Sequence, residues 1–406
     1  MWPFDKIENR SVTQSNDNFL EALFGNNVNF YGYGESASGV TVTPESAMRV
    51  PAVASAVNFL SGTLAGLPLH VFRRSGEGRE QVNSALATTL HDAPNDFTTS
   101  FEWRKQMFTA KLTGGRGLSY IERNASGAVV SLWPLDADHV TIKRDGFVNS
   151  YEYKMGDRTL RYRADEIIDL PFMLKSDGFS HRSPIAMGRD AIGLCIAVNE
   201  YGSKFLANGG VPPFAVTGQF QTGAALDRAG DDLAKAIKKA AKENRQALTL
   251  PAGLEIKPIG SNPEQSQMIE TQRFCIEQIA RLYNIPPTFL QDLTHGTYSN
   301  TEQQDLHFVK HTIKQHIEQF EQELNLKLFG RTSRVRYVEM NVDGLLRGDF
   351  KTRMDGWASG VQSGVVTPNE ARRAENRPAK EGGDELFIQG ATVPISSAGQ
   401  GNENDG

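Results

Sequence analysis

The feature that most constrains the fold is a regular apolar stripe in the last third of the chain. Between residues 300 and 329, apolar side chains recur at steps of three and four, at Leu306, Val309, Ile313, Ile317, Phe320, Leu324 and Leu328. That spacing places the side chains on one face of an α-helix. We therefore predict one long helix from about Asn300 to Phe329, packed along a single face.

Two further helices are predicted upstream, with a compact insert between them. Met187, Leu194, Val198, Tyr201 and Phe205 share helical spacing and predict a helix over 184–208, closed by Gly209 and Gly210. A third helix is expected over 265–283. The insert, 211–260, is predicted as a strand over 213–217, a charged helix over 225–245 and a hairpin over 247–259.

The N-terminal half has a different pattern. Residues 1 to about 40 are polar and predict a loose arm, whereas the chain from 40 to 175 alternates helical and β-rich segments. Helices are expected from Val50 to about Leu64, with Pro51 in the first turn, and over 100–112. The β-rich segments between 118 and 170 predict a small antiparallel sheet, so the fold class is α+β.

Composition excludes several classes of protein. The net charge is −5, which argues against a protein that coats nucleic acid by bulk electrostatics. Cys195 and Cys275 each lie in an apolar helical stretch, and neither is near a second cysteine in the sequence, so we expect two small core residues in a reducing compartment. No signal peptide or membrane-spanning segment is expected, which predicts a soluble protein of cytoplasmic origin.

No catalytic or metal site is specified by the sequence. His307 and His311 have the i, i+4 spacing of a zinc pair, but a metalloprotease glutamate and a third ligand are missing, so these two and His316 are expected on a polar helix face. The glycine-rich segments 32–36 and 113–117 predict turns. Asp165, Glu166 and Asp169 alternate with apolar residues, which indicates a strand edge that faces water.

The chain resembles the portal proteins, or head–tail connectors, of tailed bacteriophages, in particular those with long non-contractile tails. The motifs that carry the resemblance occur in order between about 40 and 385: 178–184 (GFSHRSP), 205–210 (FLANGG), 250–255 (LPAGLE), 279–281 (IAR), 285–287 (IPP), 298–303 (YSNTEQ), 345–349 (LLRGD) and 364–372 (GVVTPNEAR). No single motif is decisive, but their order and spacing make the match fairly specific.

The resemblance implies that the chain is divided into several structural parts. The expected parts are a flexible arm (1–24), an α/β wing (25–180), a stem helix (181–210), a small α/β clip (211–263), a second stem helix (264–284), a tunnel loop (285–300), a long helix with a return to the wing (301–364), a short helical crown (365–392) and a disordered tail (393–406). Such subunits assemble into rings, usually of twelve, that double-stranded DNA crosses during packaging and ejection.

The resemblance also implies sites and partners. DNA would pass the tunnel loop without being read for sequence, at Thr294, His295, Gly296, Thr297, Tyr298, Ser299 and Asn300. Lys310 and Lys314 lie one turn apart just beyond this loop and are candidates for phosphate contacts, with a solvated helix face as the alternative. Docking of the large terminase subunit, and later of the tail adaptor, is expected on the clip at Lys235, Lys238, Lys239 and Lys242, with an ordinary exposed helix as the alternative.

The expected location is the portal vertex of a virion, next to the major capsid protein, after assembly in a bacterial cytoplasm. Neither cofactor nor metal nor enzymatic activity is expected, because the packaging ATPase is a separate protein. Two rivals remain open at this point. One is another phage structural component, such as a scaffold or tail-adaptor protein. The other is a hydrolase on the α+β domain that uses Asp165 and Glu166.

Overall fold

The computed structural model describes residues 33–76, 78–146, 148–207, 214–218, 222–242, 254–258, 265–290, 301–332, 335–342, 345, 350–375 and 377–387. The chain divides into two compact units, Met1–Asn341 and Val342–Gly406. In the described part of the chain, no helix is long and apolar enough to cross a membrane.

Two helices form the centre of the N-terminal domain. After strands β1 (Gly34–Glu35) and β2 (Thr41–Val42) and the short helix α1 (Pro44–Met48), helix α2 spans Pro51–Gly66. Pro51 lies in the first turn of α2, as predicted. Its missing N–H has no cost there, because a backbone N–H in the first turn has no partner within the helix. Helix α3 (Ala85–His91) precedes α4 (Ser100–Thr113), which begins at a capping box between Thr99 and Glu102.

Three antiparallel three-stranded sheets complete this domain, where the sequence predicted one small sheet. Their strands are β3 (Leu69–Ser75), β4 (Gly78–Gln81), β5 (Arg116–Arg123), β6 (Val129–Leu135), β7 (Val140–Asp145), β8 (Val148–Met155), β9 (Arg158–Arg163), β10 (Ile167–Pro171) and β15 (Arg336–Met340). The orders are β10-β5-β6, β7-β8-β9 and β15-β3-β4. Strand β15 returns from beyond the long helix and pairs Val338 with Val71, so this domain closes with a distant segment.

The predicted helix over 184–208 is broken near its start. After strands β11 (Met173–Leu174) and β12 (His181–Arg182), helix α5 covers Pro184–Met187 and α6 covers Arg189–Ala207. Gly188 lies at the break, where an added Cβ would come within 2.4 Å of the Leu282 side chain. The predicted stripe is also not uniformly buried, since Met187 and Tyr201 are 47% and 43% exposed.

The insert consists of β13 (Phe214–Gly218), helix α7 (Gly223–Lys242) and β14 (Leu254–Pro258). Strand β14 pairs antiparallel with β13, so the sheet joins the two ends of the insert. The first half of the predicted hairpin over 247–259 lies outside the described residues. Helix α8 (Gln265–Leu282) follows and packs beside α6.

The predicted long helix is present but contains one wide turn. Helix α9 (Thr301–Phe308) and helix α10 (Lys314–Phe329) are joined by a π-helical turn, Val309–Ile313. The central stripe residues are buried, at Val309, Ile313, Ile317, Phe320 and Leu324, whereas Leu306 is 42% exposed. The stripe therefore packs against the N-terminal domain through its middle part.

A second, polar stripe on the same helix is also covered by the N-terminal domain. Its four members hold partners on helix α4, on β10 and just before β10: His316 accepts from Lys111 Nζ at 2.9 Å, Gln319 Nε2 donates to the Pro171 carbonyl at 2.7 Å, Glu323 accepts from the Asp169 backbone N–H at 2.9 Å, and Lys327 donates to the Ala164 carbonyl. The expectation that His316 lies on a solvated polar face is therefore wrong, because its ring is 6% exposed and meets Lys111.

The second unit contains helices α11 (Phe350–Gln362) and α12 (Pro368–Ala374). Glu375, just after α12, binds α11 through Arg353 at 2.7 Å and through the Trp357 indole N–H at 3.0 Å. The buried Asn369 side chain bonds the backbone of Lys380 in both directions, at 2.9 and 2.8 Å. These contacts fix the segment after α12 against its own helix pair.

Candidate functional site: the base of the 291–300 loop

The seven predicted DNA-channel residues, Thr294, His295, Gly296, Thr297, Tyr298, Ser299 and Asn300, lie outside the described residues. The structure does describe both ends of their segment. A 3₁₀ turn, Pro287–Leu290, leads into it and helix α9 follows it. The described part of the candidate site is therefore its base.

Three phenylalanines hold this base together. Phe289 precedes the loop, Phe308 follows it on α9, and Phe59 comes from α2 of the N-terminal domain. The ring centroids of Phe289 and Phe308 are 5.0 Å apart, and each lies 5.3 Å from that of Phe59. Tilted and edge-on pairs at such distances contribute about 0.5–1.5 kcal/mol beyond the burial of their area. Both ends of the loop are thus anchored to the same helix.

A polar contact also joins the two ends. Thr288 Oγ1 donates to Gln304 Oε1 at 3.2 Å, between the 3₁₀ turn and the second turn of α9. Together with the phenylalanine cluster, this bond fixes the distance between entry and exit of the loop.

The π-helical turn supplies the third anchor. Asn284 adopts a left-handed conformation with φ of 53° just before Ile285 and Pro286. Its side-chain N–H donates to the His311 carbonyl at 3.0 Å, and Thr312 Oγ1 donates to the Asn284 carbonyl. A π turn leaves backbone groups outside the regular helical ladder, and such turns are frequent at functional sites. Here the wide turn faces the segment that enters the loop.

The basic side chains next to the loop lie on the outer face of this turn. Lys310 is exposed, and Lys314 is exposed but pairs with Glu318 at 3.6 Å. Lys310 is therefore the better placed of the two candidates for a phosphate contact. His307 and His311 are exposed with ring centroids 4.3 Å apart, as expected for polar-face residues. Among the described residues, no group of three or more His, Cys, Asp and Glu could hold a metal ion.

The four candidate docking lysines fall on helix α7. Lys235 and Lys239 are exposed, and Lys235 lies 3.9 Å from Asp232. The side chains of Lys238 and Lys242 lie outside the described residues. Of the four predicted docking residues, Lys235 and Lys239 are thus the two whose exposure the structure describes.

The carboxylates at the start of β10 do not form one water-facing cluster. Asp165 binds Arg163, and Glu166 accepts from the Arg163 backbone N–H at 2.8 Å. Asp169, in contrast, is covered: it accepts two bonds from Arg116, at 2.6 and 2.8 Å, and one from the Tyr151 hydroxyl at 2.5 Å. Burial and the Asp169 charge raise the pKa of Tyr151, which keeps this hydroxyl a donor. The prediction that Asp169 faces water is therefore wrong. Alternation along one strand does not show that residues of other strands, here Arg116 and Tyr151, cover the carboxylate.

The two cysteines are buried as predicted, at 3% and 6% exposed. Their separation in the sequence gave no sign that they meet. Cys195 on α6 and Cys275 on α8 line the same cavity, where these helices pack together and beside α2.

Comparisons with known proteins identify the family. The pattern of the family described as phage portal protein matches residues 51–376. The portal protein of Enterobacteria phage HK97 is 30% identical over 390 residues, which cover 93% of this chain and 89% of that relative.

Solved structures agree in fold. An HK97-family phage portal protein from Corynebacterium diphtheriae superimposes with a TM-score of 0.58 at 16% identity, over 77% of this chain and 98% of that one. A chain from the neck of a native gene transfer agent particle, computed with C12 symmetry, gives a TM-score of 0.55 at 19% identity, over 86% and 97%. The resemblance and the mixed helix–sheet fold predicted from the sequence are confirmed: the chain belongs to the phage portal protein family.

Proposed function

We propose that this chain is the subunit of a ring-shaped portal at one vertex of a capsid, through which double-stranded DNA enters during packaging and leaves during ejection. The observation that carries the proposal is the base of the 291–300 loop, together with the family match over residues 51–376. Three separate anchors join the residues before the segment 291–300 to those after it, at the N-terminal end of the long helix. A loop fixed at its base can meet a moving duplex without being displaced.

The electrostatics suit a channel through which DNA passes without being retained. Tight binding to DNA depends on many lysine and arginine contacts to phosphate. The segment 294–300 carries no lysine or arginine, and the whole chain has a net charge of −5. Lys310 would add a single, screened phosphate contact per subunit. We therefore assign weak contacts, without sequence readout, to the loop and to Lys310.

Assembly into a ring requires two different complementary surfaces on each subunit. Helices α6 and α8 carry large apolar side chains that the single chain leaves 43–74% exposed, namely Tyr201, Leu206, Ile269 and Phe274. We assign these helices as the stem, where neighbouring subunits pack. The C12 symmetry of the gene transfer agent neck that this fold resembles makes twelve subunits the proposed number.

The remaining parts follow the same scheme. We assign the three-sheet domain as the wing and the insert with α7 as the clip. We assign α11 to the segment that returns to the wing after the long helix, and α12 to the crown. The clip would dock the large terminase subunit and then the tail adaptor, with Lys235 and Lys239 as exposed contacts. The wing would meet the major capsid protein at the virion vertex. Neither an enzymatic step nor a cofactor is part of this proposal.

The experiment is a deletion of residues 294–299 in the full chain, examined by negative-stain microscopy and by a DNA-packaging assay. We expect rings with an axial hole, as for the wild type, but less DNA protected from nuclease in filled particles. A matched variant, Lys239→Ala, leaves the loop intact and should lower packaging through terminase docking, so that added terminase restores it. Monomers or filaments from the wild-type chain would instead favour a scaffold or adaptor, and normal filling by the deletion variant would overturn the loop assignment.

A further inference from the structure

Cys195 and Cys275 form a buried thiol pair between two helices that are far apart in the chain. Helix α6 enters the insert and helix α8 leaves it, and the two run side by side. Gln272 Nε2 donates to Asn199 Oδ1 at 3.4 Å, about one turn away from the cysteines on each helix. In an antiparallel helix pair, this contact places Cys195 next to Cys275, and both thiols line the same cavity.

The pair also borders a cavity. An opening of about 480 Å³ between α2, α6 and α8 is lined mainly by apolar side chains, among them Val50, Ile276, Ile279 and Leu290, and by both cysteines. A small uncharged oxidant such as hydrogen peroxide fits this space. The polar side chains at the rim, Asn199 and Gln272, are bonded to each other and do not compete for the thiols.

We propose that Cys195 and Cys275 are an oxidation site, and that a peroxide converts the pair into an intramolecular disulfide that joins helices α6 and α8. The bridge would close the loop that contains the whole insert, 211–263. It would therefore join the two helices near the middle of each, beside the N-terminal domain rather than at the insert. This inference does not depend on the portal function.

The two thiols are not equivalent in this reaction. The interaction between the two thiols lowers the pKa of Cys275, whereas the same interaction together with burial raises the pKa of Cys195. Since the thiolate is the nucleophile, Cys275 attacks the peroxide. The O–O bond breaks, and one oxygen stays on Cys275 as a sulfenic acid while the other leaves as hydroxide, which takes up the proton that Cys275 had released and becomes water.

The second step forms the bridge. The sulfur of Cys195 attacks the sulfenic sulfur, loses its proton, and displaces the hydroxyl group as water. In total, two thiols and one hydrogen peroxide give one disulfide and two waters. The pair would stay reduced in a reducing cytoplasm and become oxidised in an oxidising medium outside the cell.

The test uses the purified full chain, reduced, freed of reductant and treated with hydrogen peroxide. We expect the intact mass to fall by two hydrogen atoms, the peptides that contain Cys195 and Cys275 to become linked, and thiol alkylation to fail until a reductant is added. On a non-reducing gel the chain should still run as a monomer. Chains linked into covalent dimers, or two cysteines that remain open to alkylation after peroxide treatment, would overturn the proposal.

Two variants resolve the order of steps. Cys195→Ser should stop at the sulfenic acid on Cys275, which dimedone traps, whereas Cys275→Ser should react with peroxide at least tenfold more slowly. The opposite pattern of trapping would refute the assigned roles. If either serine variant unfolds, as judged by circular dichroism, the linked-peptide measurement on the wild-type chain still decides the proposal.

Discussion

The buried lysine on α4 allows the sharpest test of how the long helix is held. Lys111 is fully buried, and its Nζ donates to His316 Nδ1 at 2.9 Å and to Gln319 Oε1 at 2.6 Å. Burial lowers the pKa of Lys111 from 10.5 to about 7, and burial together with the nearby Lys111 charge lowers that of His316 to about 3. Both hydrogen-bond partners are neutral, so nothing compensates the buried ammonium charge.

The sign of the pH effect follows from proton binding. Between about pH 7 and the unfolded pKa of Lys111, the unfolded chain binds one more proton than the folded chain, so the free energy of unfolding rises with pH. With a folded pKa of about 7 and an unfolded value of 10.5, this group makes the free energy of unfolding about 3 kcal/mol larger at about pH 9.5 than at pH 7.

The variant Lys111→Met removes the titrating group and keeps a side chain of similar length. Near neutral pH we expect Met to be tolerated or stabilising, because a buried charge is replaced by an apolar group. At about pH 9.5 the lysine is neutral and keeps two hydrogen bonds that Met cannot make. The difference in free energy of unfolding between wild type and variant should therefore shift by about 3 kcal/mol in favour of the wild type. His316 is neutral across this range in both proteins, so its titration cancels.

The measurement is urea unfolding at a fixed protein concentration, followed by tryptophan fluorescence. Trp103 is a suitable reporter, since its ring lies 5.9 Å from that of Phe320 on the long helix. Lys105→Met is the matched control, because Lys105 lies on the same helix but over the ring of Phe101. Stability curves for wild type and Lys111→Met that stay parallel from about pH 7 to about pH 9.5 would refute the reasoning.

Two further predictions concern contacts around the N-terminal domain. Gly115→Ala should destabilise the chain by more than about 3 kcal/mol in thermal or urea unfolding, because φ is +89° and the added Cβ would lie 2.7 Å from backbone. Gly127→Ala shares the positive φ but has open space, so it should lose only about 1 kcal/mol, and equal losses would contradict the packing argument. Asp169→Asn should destabilise by about 3–5 kcal/mol, since it removes the carboxylate charge that balances the buried Arg116 guanidinium. The exposed Asp165→Asn should have little effect, and a comparable loss there would contradict the burial assignment.

Local periodicity predicted the parts of the fold that depend on one element at a time. The long helix, the helix that opens at Pro51 and the helix over 100–113 lie where their spacing and caps place them. The resemblance carried the family assignment, because its motifs are spread over the whole match. The break at Gly188 was not predicted, since it depends on the side chain of Leu282.

Contacts between residues that are far apart in the sequence could not be predicted. The π-helical turn is stabilised by Asn284 on another element, and no pattern within 309–313 indicates it. The loop anchor at Phe59 and the meeting of Cys195 with Cys275 are similar cases. A sequence pattern reports the periodicity of one segment, whereas these contacts depend on which segment covers it.

The polar stripe of the long helix explains why its apolar stripe alone would not suffice. An apolar ridge can slide by a turn along its groove with little loss of buried area, since hydrophobic contact is non-directional. His316, Gln319, Glu323 and Lys327, at steps of three, four and four, each hold at least one partner on the N-terminal domain. A shift of one turn would leave all four without their partners in a covered interface, which costs about 1–3 kcal/mol for each group. The buried polar contacts therefore set the position of the helix along the domain, and through it the point at which the segment 291–300 joins the helix at Thr301.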